Sequence, residues 1–450
     1  MQIANCELEI EADRRAGPRV ALVHDWLTGM RGGEKCLDVL CRLWPDARLY
    51  TLIHRPGSVS PAIERMDVRT SFLQRVPGIF RHYRYFLPLM PAAIESFRIN
   101  DVDLVISLSH CVAKSVRVPP GVPHICYCFT PMRYAWHMRE AYWAEGGGRR
   151  AESQKSRESR VESREPESRN GDGTCSGPPP STLRPPPHSA LRSPLSALRS
   201  VLLSDLRRWD RATAGRVTHF IAISRTVEKR IRECYDRSSG VICPPVDTDF
   251  FTPSGEARDD FYLCVSALAP YKRLDLAVES CSRLGRRLVV IGSGPDDQRL
   301  RAAAGPTVQF LGWQSDECIR EHYRLCRALL FPGEEDFGIV PLEAQACGTP
   351  VIALASGGAT ETVLPASAGV PGTGLFFYDQ TADALMATIE RFESGNETVS
   401  PALARKNAAR FYKSRFAEEI QAFVAGVLRG GQPVEASGTG ASEHGGCAAA

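Results

Sequence analysis

Residues 328–356 read ALLFPGEEDFGIVPLEAQACGTPVIALAS. Two apolar runs, ALLFPG (328–333) and PVIALAS (350–356), flank a Gly-containing loop. The segment after that loop opens near Pro341, a residue type that suits the first turn of a helix. Continuous apolar runs of this length fit parallel strands covered on both faces. The same unit recurs on either side. GLFFY (374–378) lies downstream, and FYLCVSAL (261–268), RLVVIGSG (287–294) and VQFLGW (308–313) lie upstream. Helical patterns such as RLDLAVESCSRL (273–284) and DECIREHYRLC (316–326) fall between them. CPPVDTDFFTPSGEARDD (243–260), rich in Pro and turn formers, interrupts the series. Before it comes an earlier series: RVALVHDW (19–26), RLYTLI (48–53), VDLVISLS (102–109), HICYCF (124–129) and THFIAIS (218–224), with a helical EKCLDVLCRLW (34–44). This alternation predicts an α/β fold of two Rossmann-like, doubly wound domains hinged near 243–260.

The predicted boundaries follow from composition. Residues 1–17 are polar and acidic and unlike a signal peptide, so they read as a disordered N-terminus. The first domain spans 18–242, the second 243–401, and 402–429 form an amphipathic helix with Phe411, Phe416, Ile420, Phe423 and Val427 on one face. The Gly/Ala-rich tail 430–450 reads as disordered. So does an insertion, 146–200, which holds eleven Ser, eight Pro and no aromatic residue. Such a segment cannot offset its ordering entropy by burial. The chain of 450 residues carries a net charge of +3. The insertion, with ten Lys/Arg against six Asp/Glu, accounts for +4 of it, leaving 3 − 4 = −1 for the rest. No case for nucleic-acid binding follows. The 15 cysteines are scattered without metal spacing, so no metal is expected. Reduced, buried thiols suit the cytoplasm.

In open α/β sheets ligands lie beyond the carboxyl ends of strands, which singles out five places. Gly29–Glu34, with Gly32 and Gly33, could bring backbone amides to an anion at a helix start; alone it is equally a tight turn. His110 closes a strand, where it could bind a hydroxyl or move a proton; a packed histidine is the plainer alternative. Lys272 and Arg273 are adjacent cations suited to a pyrophosphate. Gly292-Ser293-Gly294 lacks the third glycine of a dinucleotide fingerprint, so a nicotinamide oxidoreductase is weakly supported. Glu335 and Glu343 flank the loop and helix start of residues 334–344, and a carboxylate at Glu343 could accept from ribose hydroxyls.

At this motif the chain resembles the retaining glycosyltransferases of family four, or group one, which have the GT-B fold. The likeness spans most of 19–425. It rests on EDFGIVPLEAQACGTPVIA (335–353), GGATETV (357–363), PYKRLDLAVES (270–280), VVIGSGP (289–295) and FLGWQSDE (310–317), in family order. AISRTVEKRI (222–231) and CPPVDTDFF (243–251) match the interdomain segment. The resemblance implies that Lys272, with Arg273 nearby, binds a donor diphosphate. It implies that Glu343 holds the ribose, that Glu335 contacts the transferred sugar, and that His110 touches the acceptor or the hexose. Amides of Gly32, Gly33, Gly338 and Ile339 would cradle sugar or phosphate, and the final helix would cross back to the first domain.

Two positions depart from the family. Ala267 stands about where an Arg is common, so one diphosphate cation is missing unless Arg273 or Arg31 replaces it. HICYCFTPMRYAW (124–136) is similar to a subgroup of bacterial polysaccharide and O-antigen mannosyltransferases, with Phe129 where that subgroup often has His. The implied donor is GDP-mannose, with no metal. The implied acceptor is a glycan or lipid-linked saccharide, used at the inner face of the plasma membrane. Residues 72–98 mix aromatics with Arg75, Arg81, Arg84 and Arg98, which suits peripheral membrane contact; a helix pair packing its aromatics inward is the alternative. Rival readings are a GT-B epimerase and a catalytically weakened sugar-nucleotide-binding protein.

Overall fold

The computed structural model describes residues 17–136 and 194–430, with backbone alone for 194–200. The expectations for the N-terminus, most of the insertion and the tail lie outside the described residues. Two all-parallel sheets form. The first has the order β3-β2-β1-β4-β5-β6-β7: β1 Val20–His24, β2 Arg48–Thr51, β3 Asp67–Thr70, β4 Leu104–Ser109, β5 His124–Cys128, β6 His219–Ala222 and β7 Ser239–Val241. The second has the order β10-β9-β8-β11-β12-β13: β8 Tyr262–Val265, β9 Leu288–Ile291, β10 Val308–Gly312, β11 Ala328–Phe331, β12 Val351–Leu354 and β13 Gly374–Phe377. These are the two Rossmann-like domains the alternation predicts. The central strands β1, β4, β5, β11 and β12 are buried along their whole length, as continuous apolar runs require.

The sequence pattern missed two strands. β3 (DVRT) and β7 (SGV) lie at the edges of the first sheet and are at most half-buried. An edge strand needs no apolar run, so hydrophobicity does not mark it. A helix at Pro194–Thr213 also begins inside the window read as insertion. Its PLSALRS start has good helix formers behind a Pro, and the surrounding low-complexity composition hides them.

The return to the first domain is the main long-range constraint. The predicted helix 402–429 is split into Pro401–Ala408, a 3₁₀ turn at Ala409–Phe411, and Lys413–Leu428. The break falls at Tyr412, whose backbone is extended (φ −66°, ψ 157°). There the chain passes its own outgoing segment: the Val246 amide donates to the Phe411 carbonyl at 2.7 Å. Those backbone groups pair across the crossing and not along a helix, which is why the helix is interrupted. Beyond it, Phe416, Ile420, Phe423, Val424 and Val427 join the core of the first domain. Phe416 sits edge-on to Tyr127 of β5 at 5.5 Å. Phe416→Ala removes a fully buried ring and is expected to cost about 3 kcal/mol in urea unfolding; a loss under about 1 kcal/mol would show that the helix is not seated in this core.

Candidate active site

Each strand order reverses once, between β1 and β4 and between β8 and β11. Crevices beyond the carboxyl ends of strands at such points are where open α/β sheets bind ligands. One cleft of about 340 Å³ takes its walls from both domains. The end of β1 and the segments after β1, β4 and β5 supply His24, Gly32, Gly33, His110, Phe129 and Arg133. Those after β8 and β11 supply Tyr271, Lys272, Glu335, Asp336, Gly338 and Ile339.

On the second domain, the loop after β11 holds its shape through its neighbours. Gly338 has φ 97°, a region that favours glycine, and it caps the helix Ile339–Ala346. The Glu335 carbonyl accepts from the Gly358 amide at 2.7 Å, so the GGATET segment braces the loop from behind. Lys272 ends a 3₁₀ turn at Pro270–Lys272 and forms an ion pair with Glu335. Burial and the neighbouring Arg133 lower the Lys272 ammonium to about 7, against the opposing pull of Asp336.

On the first domain the organising group is Asp25, directly after β1. It is fully buried and accepts backbone N–H bonds from His110, Cys111, Val112 and Ala113 at 2.7–2.9 Å. Its carboxylate also meets His110 Nδ1 at 3.0 Å. Burial alone would raise this carboxyl, but the charge and hydrogen bonds of His110 outweigh it and bring it to about 2. Asp25 therefore fixes both the loop after β4 and the orientation of the His110 ring. That ring lies edge-on to Trp26 at 4.5 Å. Glu34 is buried beside His24, with Nε2 to Oε1 at 3.7 Å. Burial works to raise its carboxyl, but the His24 interactions hold it below the usual range.

Contacts across the cleft hold the domains together. A Cβ on Gly32 would lie 2.9 Å from Ile339 Cδ1 of the other domain, so the helix start and the loop approach as closely as glycine allows. Lys35 reaches over to Glu343 at 2.9 Å and Asp316 at 3.6 Å. Asp336 pairs with both Arg133 and Arg230, and Arg230 adds Glu334 at 2.7 Å. The Ser224 hydroxyl donates to the Asp336 carbonyl at 2.6 Å. Glu361 accepts from the amides of Arg225 and Thr226 at 2.7 and 2.9 Å, at the N-terminus of the helix Arg225–Tyr235.

The structure thus gathers Lys272, Glu335, His110, Gly32, Gly33, Gly338 and Ile339 at one cleft. The remaining three expected residues lie elsewhere. Arg273 turns to Asp275 at 3.1 Å and Gln380 at 3.3 Å, because its backbone is left-handed (φ 52°). Gly292 packs against the neighbouring loop, where a Cβ would come within 1.8 Å of the Ser266 carbonyl; its place in the sequence is explained by packing. Glu343 is buried behind the cleft and held by Lys35 and the Tyr323 hydroxyl (3.4 Å). Sequence reading missed Asp25, Lys35, Arg133, Arg230 and Asp336. A charged residue directly after an apolar strand, as in VHDW, was an available signal for Asp25. The pairings of the other four depend on the domain interface.

Asp25→Asn replaces one accepting oxygen with a donor that faces backbone N–H groups. It is expected to cost about 3 kcal/mol of stability at neutral pH, read by urea unfolding. Because Asp25 is depressed in the folded state, its contribution is present above pH 4 and is lost as pH falls toward 2. The wild-type advantage over the variant should shrink across that window; an advantage constant from pH 6 to 2.5 would remove Asp25 from this role.

Comparison with known proteins follows the same division. Residues 247–410 match the family described as glycosyl transferases group 1. A D-inositol 3-phosphate glycosyltransferase from Mycobacteroides abscessus is 34% identical over 190 residues, 37% of this chain and 40% of its own length. A GDP-mannose-dependent alpha-(1-6)-phosphatidylinositol monomannoside mannosyltransferase from Mycolicibacterium smegmatis is 32% identical over 184 residues, 34% of this chain and 48% of its own. The chain thus spans less than half the length of these curated relatives. Among solved structures, sucrose-phosphate synthase from Thermosynechococcus elongatus superposes with a TM-score of 0.62 at 16% identity, over 92% of this chain and 100% of that one. Anabaena Alr3699/HepE in complex with UDP and glucose gives 0.59 at 15% identity, over 91% and 100%. Two facing doubly wound domains and a last helix that crosses back agree with the solved structures: the chain has the GT-B fold, and its second domain, over residues 247–410, is similar to the glycosyl transferases of group 1.

Proposed function

We propose that this protein is a retaining hexosyltransferase that moves mannose from GDP-mannose to a glycan or lipid-linked saccharide in cell-surface polysaccharide synthesis. The observation that carries the reading is the Lys272–Glu335 pair, held in a cleft between two Rossmann-like domains with His110 on the opposite wall. In the reaction, the bond from the anomeric carbon to the diphosphate oxygen breaks, and its electron pair leaves on the phosphate. Lys272 and the amides near Gly338 meet that charge. The acceptor oxygen then bonds to the same face of the sugar, and its proton passes to the departing diphosphate oxygen. Glu335 contacts the hexose, and His110, oriented by Asp25, touches the hexose or acceptor. Glu343 receives the ribose by exchanging Lys35 for ribose hydroxyls. The cations supply the charge that a metal would otherwise bring, so the reading includes none. The donor assignment is supported by the subgroup likeness of 124–136 and by the GDP-mannose-dependent relative.

A thermal-shift series across nucleotide-sugars tests the donor. GDP-mannose at a hundred times its Kd should stabilise by about 2.7 kcal/mol; stabilisation by UDP-sugars instead would overturn the assignment. With a lipid-linked acceptor, product analysis should show transfer, and Lys272→Ala should lower kcat at least about 100-fold. Free epimerised sugar would favour the epimerase. Nucleotide binding without turnover would favour the weakened binding protein, a reading for which the apolar Phe129 ring beside His110 (6.4 Å) is the specific motive. Since burial and the neighbouring Arg133 lower the Lys272 ammonium to about 7, affinity for GDP should fall as pH rises from 6 to 8, with proton uptake on binding in calorimetry.

The acceptor side includes a surface. Between Phe72 and Ile94 the sequence has Arg75, Arg81 and Arg84 and no acidic residue. The segment folds as short turns and helices that bury Leu73, Ile79, Tyr83, Leu87 and Met90. Phe72, Phe80, Tyr85 and Leu89 remain exposed, Tyr85 by 82%. Arg84 both belongs to this face and lines the cleft. Exposed rings interspersed with arginines suit an anionic bilayer at the inner membrane face. Sedimentation with phosphatidylglycerol vesicles should capture the wild type and lose the Phe80→Ser/Tyr85→Ser/Arg81→Ser variant; equal capture of both would sink this contact.

A further inference from the structure

We propose that Arg133, carried by the first domain, is the second cation for the donor diphosphate, so that this half of the charge reaches the phosphates only when the domains are closed. The inference rests on the reading of the cleft as a nucleoside-diphosphate-sugar site. It starts from a deficit: Ala267 offers no cation after β8, and Arg273 is committed to Asp275 and Gln380. Arg31 and Arg84 line the cleft but are exposed.

Arg133 is placed differently. It lines the cleft and packs on the Tyr271 ring, with its guanidinium carbon 5.7 Å from the centroid. Lys272 Nζ lies 5.1 Å from the same centroid. One aromatic ring therefore carries a cation from each domain. The two repel, and the charge on Arg133 helps burial to lower the Lys272 ammonium. Like charges brought together at a cleft lose that repulsion when an anion arrives.

The turn that presents Arg133 is anchored on both sides. Met132 and Ala135 on either side are buried, and the Ala135 amide donates to the Met132 carbonyl at 2.9 Å. Trp136 Nε1 donates to Asp210 at 2.8 Å. Asp336 aims the guanidinium from across the cleft. A guanidinium has five N–H donors in a planar fork, so it can hold a carboxylate and a phosphate oxygen together. Arg230 shares Asp336 but does not line the cleft. It supplies the comparison: both arginines clamp the domains, and one of them faces the ligand.

The test compares nucleoside di- and monophosphates by calorimetry on the full chain. The probes are GDP with GMP and UDP with UMP, using whichever base the wild type binds. Arg133→Gln should weaken the diphosphate about tenfold or more and the monophosphate much less, so that the preference between them narrows. Arg133→Lys should restore part of it. Arg230→Gln, which loosens the same clamp, should leave the ratio within about twofold of wild type. Equal losses for both nucleotides in Arg133→Gln, or a narrowed ratio in Arg230→Gln as well, would make Arg133 a clamp only and overturn the assignment. Wild type that binds neither diphosphate would overturn the reading of the cleft, and this assignment with it.

Discussion

The last helix lies in the core of a domain that the chain has already left. Phe416, Ile420 and Phe423 pack there with strands β1, β4 and β5, so the two domains share one hydrophobic unit although their sheets are separate. The apolar area this buries is non-directional in its energetics. The orientation comes from the crossing, where Val246 and Phe411 are bonded backbone to backbone. With the crossing fixed, the carboxyl ends of β1 and β4 meet those of β8 and β11, and the cleft exists.

Inside that arrangement the charges are matched across domains. Lys35 with Glu343, Arg133 and Arg230 with Asp336, and the helix start at Arg225 with Glu361 each take one member from either side. Partly buried pairs of this kind add less to stability than their Coulomb energy suggests, because desolvation opposes it. Their effect is geometric: together they tie the relative placement of the sheets at several separate points.

Much of this was legible in the sequence. Apolar runs located eleven of the strands, since a strand covered on both faces must be apolar throughout. They missed β3 and β7, whose edge positions demand no such pattern. Glu335 of the E-x-x-x-x-x-x-x-E block and Lys272 of the Lys-Arg pair both line the cleft, because glycines, prolines and charges at strand ends carry local instructions. The roles of individual residues were less legible. Arg273 and Lys272 are neighbours, yet a left-handed backbone turns one away from the cleft. Gly292 looks like part of a phosphate loop, and the close approach of the Ser266 carbonyl would by itself require a glycine there. Arg133 and Asp336 stand 203 residues apart, and no local pattern joins them.

The bond between Lys35 and Glu343 has one more consequence. On the proposed reading, a donor that places its ribose at Glu343 exchanges one partner for another and does not fill a vacant position. Part of the enthalpy of the new contacts is spent on separating an ion pair that the empty protein already has. The same exchange run backwards helps the spent nucleotide to leave, since Lys35 is tethered beside the carboxylate at an effective concentration no free ligand matches. On that reading the pair would lower the donor's affinity and favour release of the spent nucleotide, and it would do so from behind the cleft.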